Sequence, residues 1–260
     1  MTHDALTPDP WTHLAHLTSA RIALGRAGSA MPTREVLRFA LAHAQARDAV
    51  HAPFASDKLA AKLHEQGLRT VEVSSKARDR TAYLRRPDWG RMLDANARVA
   101  LDVLGKPGGD VVIVVADGLS ATAVHGMAVP VVEALRPKLG AAGLGLGPVV
   151  IATGARVALG DEIAYRVGAR AVLVLIGERP GLSAPDSLGA YLTFDPKPGR
   201  HDAERNCVSN IRAGGLTPQR AAFKLCWLLT EAFRRGLTGV DLKDQSDLLL
   251  GAEEAKPALG

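Results

Sequence analysis

The chain has 260 residues, of which 47% are hydrophobic, 23% charged and 4% aromatic, with a formal net charge of +5. That length suits one large domain with a small companion, and no apolar run approaches the ~18 residues that a membrane span needs. The basic excess is scattered, not gathered into a stripe with stacking aromatics, which argues against a nucleic-acid binder.

Residues 1–18 are rich in Pro, His and Thr and have no period, which predicts a flexible arm. They show neither the basic nor the apolar segment of a secretory signal. Two cysteines, Cys207 and Cys226, do not make a disulfide framework or a metal set, and a reducing, cytoplasmic setting follows. TREVLRFALAHAQARDAVH predicts a helix from Thr33, with Val36, Phe39 and His43 on one stripe. SDKLAAKLHEQG predicts a second helix capped by Ser56 and stopped by Gly67. A boundary near residue 55 then separates a helical N-terminal section, 19–55, from an α/β section, 56–240.

In the α/β section, TVEVS (70–74) alternates as a short strand. The next segment, WGRMLDANARVALDVLGK, predicts a helix with Asp88 as cap and Gly105 as stop. VVIVVA (111–116), PVVIATG (148–154) and AVLVLIG (171–177) are continuous apolar runs, as expected of strands buried on both faces. Helical stretches at about 123–139 and 160–169 separate them, the first holding Pro130 in a first turn or at a kink. SLGAYLTF (187–194) is a weaker strand candidate. The last helix opens with Thr217 and Pro218 and carries Ala222, Cys226, Leu229 and Phe233 as its apolar stripe. Residues 241–260 predict a loosely ordered tail, in which DLLLGAEE can form a helical turn. Alternating strands and helices at this spacing predict an α/β fold, a parallel sheet with helices on both faces.

Ligands of such sheets sit beyond the carboxyl ends of the strands. That rule selects Asp117, Gly118 and Ser120 after one strand. After the next it selects Gly154, Arg156 and Val157, and after the third Gly177, Glu178 and Arg179, all on one edge. Asp117 followed by Gly118 reads as a nucleophile or ligand, or as a helix cap with its turn. Glu178 reads as a ligand acceptor or as an ion-pair partner of Arg179 or another arginine. Cys207 falls in a polar, loop-like stretch, ERNCVSNIRAGG, while Cys226 reads as core. No phosphate-cradling glycine motif occurs: LGLGPVV precedes its strand instead of following it. The basic patch KARDRTAYLRRPDWGR (Lys76 to Arg91) suggests a partner or a ligand phosphate.

Five blocks in order, ARIALGRAGSAMPTREVLRFALAHAQARDAVH, SSKARDRTAYLRRPDWGR, VVADGLSA, IGERPGLSAPDSLGAYLTF and ERNCVSNIRAGGLTP, resemble the small (light) subunit of ethanolamine ammonia-lyase over about residues 19 to 240. The resemblance implies a helical N-terminal piece and a Rossmann-like domain that covers adenosylcobalamin at an interface with a large catalytic subunit. It implies a dodecamer of six large and six small chains, in some hosts inside a bacterial microcompartment. It implies cofactor contacts at Val157, Glu178 and Cys207, no catalytic residue and no metal ligand in this chain. The histidine motif with which some cobalamin proteins replace the cofactor's own base is missing, so that base is expected to stay on cobalt. A different expectation is a stand-alone hydrolase or nucleotide-binding protein using Asp117 and Ser120.

Overall fold

A computed structural model describes residues 6–106 and 109–249. Strands β1 (Leu6–Thr7) and β2 (Arg26–Ala27) form a small antiparallel ribbon, and Thr12–Leu17 form a 3-10 turn between them. Helices α1 (Thr33–His51) and α2 (Ser56–Glu65) follow. Then come β3 (Thr70–Ser74), α3 (Arg80–Arg85), α4 (Ala95–Leu104), β4 (Val111–Ala116) and α5 (Ala121–Ala141). The chain continues through β5 (Leu146–Thr153), α6 (Leu159–Val167), β6 (Ala171–Gly177), β7 (Leu188–Phe194), β8 (Asn206–Ile211) and α7 (Pro218–Arg235). No helix among the described residues is long and apolar enough to cross a membrane.

Strands β3 to β8 make one six-stranded sheet in the order β3-β5-β4-β6-β7-β8. The first four strands in that order run parallel, and β4 and β6 are buried at every residue. Their alternate side chains feed two cores. Val111, Ile113, Val115, Leu173 and Leu175 face α2, α5 and α7. Val112, Val114, Val172, Val174 and Ile176 face α4 and α6. Helices thus cover both faces, because strands that are apolar on both sides must bury both.

The sheet is not wholly parallel. Strand β7 runs antiparallel to both β6 and β8. Residues 178–187, which join β6 to β7, are too few for the helical crossover that a parallel return requires. Strand β8 itself corrects the loop-like reading of Cys207. The segment NCVSNI has only Val208 and Ile211 buried, so its polar majority reflects an edge strand with one wet face.

Several helix ends also differ from expectation. Asp94, not Asp88, caps α4, accepting from the Ala97 amide at 2.7 Å; Asp88 instead opens a 3-10 turn at Trp89–Arg91. Ser56 is the first residue of α2 and makes no capping hydrogen bond. Pro130 lies well inside α5, where nine buried side chains of the helix offset the missing backbone donor. On α1, Val36 and Phe39 are exposed, while Ala42 and Ala49 face the rest of the chain. Thr217 caps α7 as its sequence suggests, accepting from the Arg220 amide at 3.3 Å, and Cys226 packs half-buried against the core. Near the C-terminus, Leu242 and Ser246 are buried and residues 246–249 are helical, whereas the rest of the expected tail, 250–260, lies outside the described residues.

Candidate functional site

The loops after β4, β5 and β6 meet at one edge, as parallel strands require. From β4 the chain turns to α5 on one face, and from the adjacent β5 it turns to α6 on the other. That divergence opens a crevice between the two strands. Gly118 and Gly177 make the loops fit. A Cβ on Gly118, at φ +55°, would come within 2.3 Å of the Gly177 carbonyl, and one on Gly177 within 2.1 Å of the Ser120 carbonyl. The Leu119 amide donates to that Gly177 carbonyl at 2.9 Å.

Asp117 stands in the crevice as a junction. Its Oδ1 accepts from the Gly118 and Ala155 amides, both at 3.0 Å. Burial pushes its carboxyl up, against the lowering effect of the Ala155 and Gly154 amides and the Arg80 charge. Arg80 lies 3.8 Å from Oδ2 and donates to the carbonyls of Val50 and Gly118 at 2.6 and 2.7 Å. Arg80 and Arg156 both lie against the Tyr83 ring, 4.9 and 4.2 Å from its centre. Burial foremost pushes that phenol up to about 12. Part of the basic patch is therefore internal structure. Asp117, Arg80, Tyr83 and Gly154 share a cavity of about 190 Å³. Ser120 caps α5 through the Ala123 amide and donates to the Pro185 carbonyl at 2.9 Å. With both roles taken, no base stands beside it among the described residues, and the hydrolase arrangement is missing.

The three resemblance-selected residues lie on one side of the sheet. Val157, half-buried just before α6, packs on the core that holds Val174, Ile176 and Tyr191. Glu178 prolongs β6: its amide donates to the Ser187 carbonyl at 3.0 Å, so its side chain falls on the face of Val174 and Ile176. Cys207 sits directly opposite Tyr191, and Tyr191 opposite Val174, which puts the exposed thiol on that same face. Glu178 has no ion pair with Arg179 or any other described base. Its Oε2 accepts from the Ser187 hydroxyl and from the Asn210 amide at 3.3 Å. The Cys207 thiol is pushed up, mainly by the protein packed round it and also by the Glu178 charge.

Two groups here escaped the sequence reading. Tyr191 lies between Glu178 and Cys207, yet in AYLTF it looks like one more apolar strand residue. Its period-2 position relative to Gly189 was the available signal. Arg205 forms a buried pair with Asp161 of α6, linking β8 to the helix that follows Val157. No local pattern announces a contact across 44 residues.

Gly189 shapes this rim. A Cβ there would stand 3.1 Å from Glu178 Cγ, from its Oε1 and from Tyr191 Cε2. On this face a carboxylate, an aromatic ring and, on the next strand, a thiol stand side by side, with the buried Gly189 backbone beneath the first two. Such a surface fits a large, flat, amide-rimmed group such as a corrin: the carboxylate accepts amide hydrogens and the ring and sulfur give soft apolar contact.

A six-stranded, mostly parallel sheet with helices on both faces and its strand-end loops gathered at one edge defines an α/β protein. Its relatives say of which kind. The Ethanolamine ammonia-lyase light chain family matches residues 8–243. The chain is 56% identical over 245 residues to an "Ethanolamine ammonia-lyase small subunit" of Rhodopseudomonas palustris (strain BisA53), covering 93% of this chain and 94% of that one. It is 56% identical over 247 residues to the protein of that name from Bradyrhizobium diazoefficiens, covering 95% of each. Against that from Pseudomonas fluorescens (strain Pf0-1), identity is 50% over 250 residues, covering 95% and 91%. The chain belongs to the ethanolamine ammonia-lyase light chain family, and so is the small subunit of a lyase.

Proposed function

We propose that this chain, as the small subunit of ethanolamine ammonia-lyase, binds adenosylcobalamin at an interface with a large catalytic subunit, for the deamination of ethanolamine to acetaldehyde and ammonia. What supports this is that Val157, Glu178 and Cys207 lie on the same side of the sheet, in a chain of that family. The cofactor supplies the radical chemistry when bound. This chain's residues bind and orient it. Glu178, fixed by Ser187 and the Asn210 amide, accepts hydrogen bonds from the cofactor's amides, while Val157 and Cys207 give apolar contact and exclude water. The large subunit carries the substrate residues, in a dodecamer of six large and six small chains in the cytoplasm, within a microcompartment where the host builds one. On this reading, residues 56–240 are a Rossmann-like cobalamin-binding unit, residues 19–55 a helical unit before it.

The test is reconstitution with a large subunit. Cofactor-dependent acetaldehyde release is expected from the pair and none from this chain alone. Glu178→Ala is expected to weaken adenosylcobalamin binding by about 1–2 kcal/mol, one hydrogen-bonded contact to a charge. Activity of the chain alone, or unchanged affinity in Glu178→Ala, Cys207→Ala and Val157→Asp alike, would overturn the reading.

A further inference from the structure

Tyr191 is not among the three residues that the resemblance selects, yet it stands between two of them. In the sheet register it lies directly opposite Cys207 on β8 and opposite Val174 on β6. Two residues back along β7 on the same face is Gly189, and the vacant side-chain position there is flanked by Tyr191 Cε2 and by Glu178 Cγ, each 3.1 Å from where a Cβ would stand. Tyr191 therefore fills the space between the acid and the thiol. It is half-buried, its inner side against the core of Val174 and Ile176. On this face α6 packs against β6, whereas α5 and α7 cover the opposite face of β7 and β8. Tyr191 keeps part of its surface exposed there.

We propose that Tyr191 is a direct contact of the bound cobalamin, the floor of the rim on which Glu178 and Cys207 stand. The inference rests on the cofactor reading above. A flat group that reaches both Glu178 and Cys207 has to pass over the residue between them. A tyrosine there offers a rigid apolar face to the macrocycle and a hydroxyl that can donate to or accept from its amide rim. Among the described residues that hydroxyl makes no hydrogen bond to any oxygen or nitrogen; its one partner is the Cys207 thiol, a weak acceptor that an amide of the macrocycle's rim can replace. A phenylalanine would serve the core equally well.

The experiment is an absorbance titration of the large–small complex with adenosylcobalamin and, separately, with hydroxocobalamin. Wild type, Tyr191→Phe, Glu178→Ala, Cys207→Ala and the Tyr191→Phe/Cys207→Ala double variant are compared, each with its thermal midpoint. Tyr191→Phe is expected to bind about five- to tenfold more weakly with an unchanged midpoint, and the double variant to show the product of the two single effects. If Tyr191→Phe binds like wild type, the contact is refuted, whatever Glu178→Ala does. If its effect vanishes in the Cys207→Ala background, Tyr191 acts through the thiol and the direct contact is refuted. If Tyr191→Phe weakens binding while Glu178→Ala and Cys207→Ala do not, the contact stands and the three-residue reading falls.

Discussion

Arg205 and Asp161 meet in a two-pronged ion pair, Nη1 to Oδ1 and Nη2 to Oδ2, both at 2.7 Å, with side chains 2% and 1% exposed. The guanidinium also donates to the Thr193 hydroxyl at 2.8 Å and to the Arg200 carbonyl at 2.9 Å. Burial works against its charge, and the hydrogen bonds and charge of Asp161 outweigh that, so its pKa lies above the usual arginine value. Asp161 comes four residues after Val157, and Arg205 two before Cys207. The pair ties the helix beside one rim residue to the edge strand carrying another.

Removing either partner leaves a buried charge alone. Asp161→Ala and Arg205→Ala are each expected to lower stability by about 3–5 kcal/mol. Arg205→Lys is expected to recover only part of this, because an ammonium cannot make two parallel bonds to one carboxylate. Urea unfolding followed by circular dichroism checks the order of the three, and midpoints equal to wild type would refute the clamp. In a variant that still folds, Cys207 is expected to react faster with a thiol reagent as β8 frays.

The glycine contact at the carboxyl edge should be intolerant. Gly177→Ala puts a methyl within 2.1 Å of the Ser120 carbonyl and 2.7 Å of the Asp117 carbonyl. Neither is the end of a flexible side chain, so the loops must separate. A loss of several kcal/mol, or no soluble protein, is expected. Gly126→Ala, on α5 with nothing within 4 Å of the added carbon, is the control and should be stabilised by up to about 1 kcal/mol.

Asp117 predicts a pH effect of definite sign. Its folded pKa is raised by burial, so its contribution to stability is complete below its unfolded value, roughly 3.9, and is lost as pH rises through the folded value. Asp117→Asn keeps an oxygen for the Gly118 and Ala155 amides but never ionises. The wild type is therefore expected to lose ground to Asp117→Asn as pH rises from roughly 3.9 towards neutrality. Asp117→Ala should be weaker than both throughout, by about 1–3 kcal/mol for each amide left without an acceptor. Parallel urea midpoints for wild type and Asp117→Asn across that range would refute the raised pKa.

The elements legible in the sequence were those with an intrinsic signature. VVIVVA and AVLVLIG are strands because nothing else hides that much branched apolar surface on two sides, and Thr217–Pro218 starts α7 because cap and ring favour it locally. What stayed hidden depends on partners distant in the chain. NCVSNI has no apolar alternation to betray a strand, since its hydrogen bonds to β7 and Arg205's bond to Asp161 come from tertiary placement. Asp88 and Asp94 both precede helical residues, and only packing selects Asp94. At the candidate site, the sheet-edge rule reached Val157 and Glu178 by position. Cys207 came only through resemblance, and Tyr191 through register alone.

Gly189 separates the rim's function from its stability. It is buried in β7, where glycine weakens a strand relative to alanine, and its φ does not require glycine. Gly189→Ala should therefore leave the unfolding midpoint unchanged or slightly higher, provided its neighbours yield a few tenths of an ångström. The neighbours that must yield are Glu178 and Tyr191. Pushed outward, Glu178 loses its alignment with Ser187 and the Asn210 amide. Adenosylcobalamin affinity of the large–small complex is expected to fall by about fivefold or more, one hydrogen bond's worth. Titration and thermal melting of the same preparation test the split. Full affinity in Gly189→Ala would show that the cofactor does not use the Glu178 carboxylate as it is placed here, and a collapsed midpoint would show that Gly189 serves the fold instead.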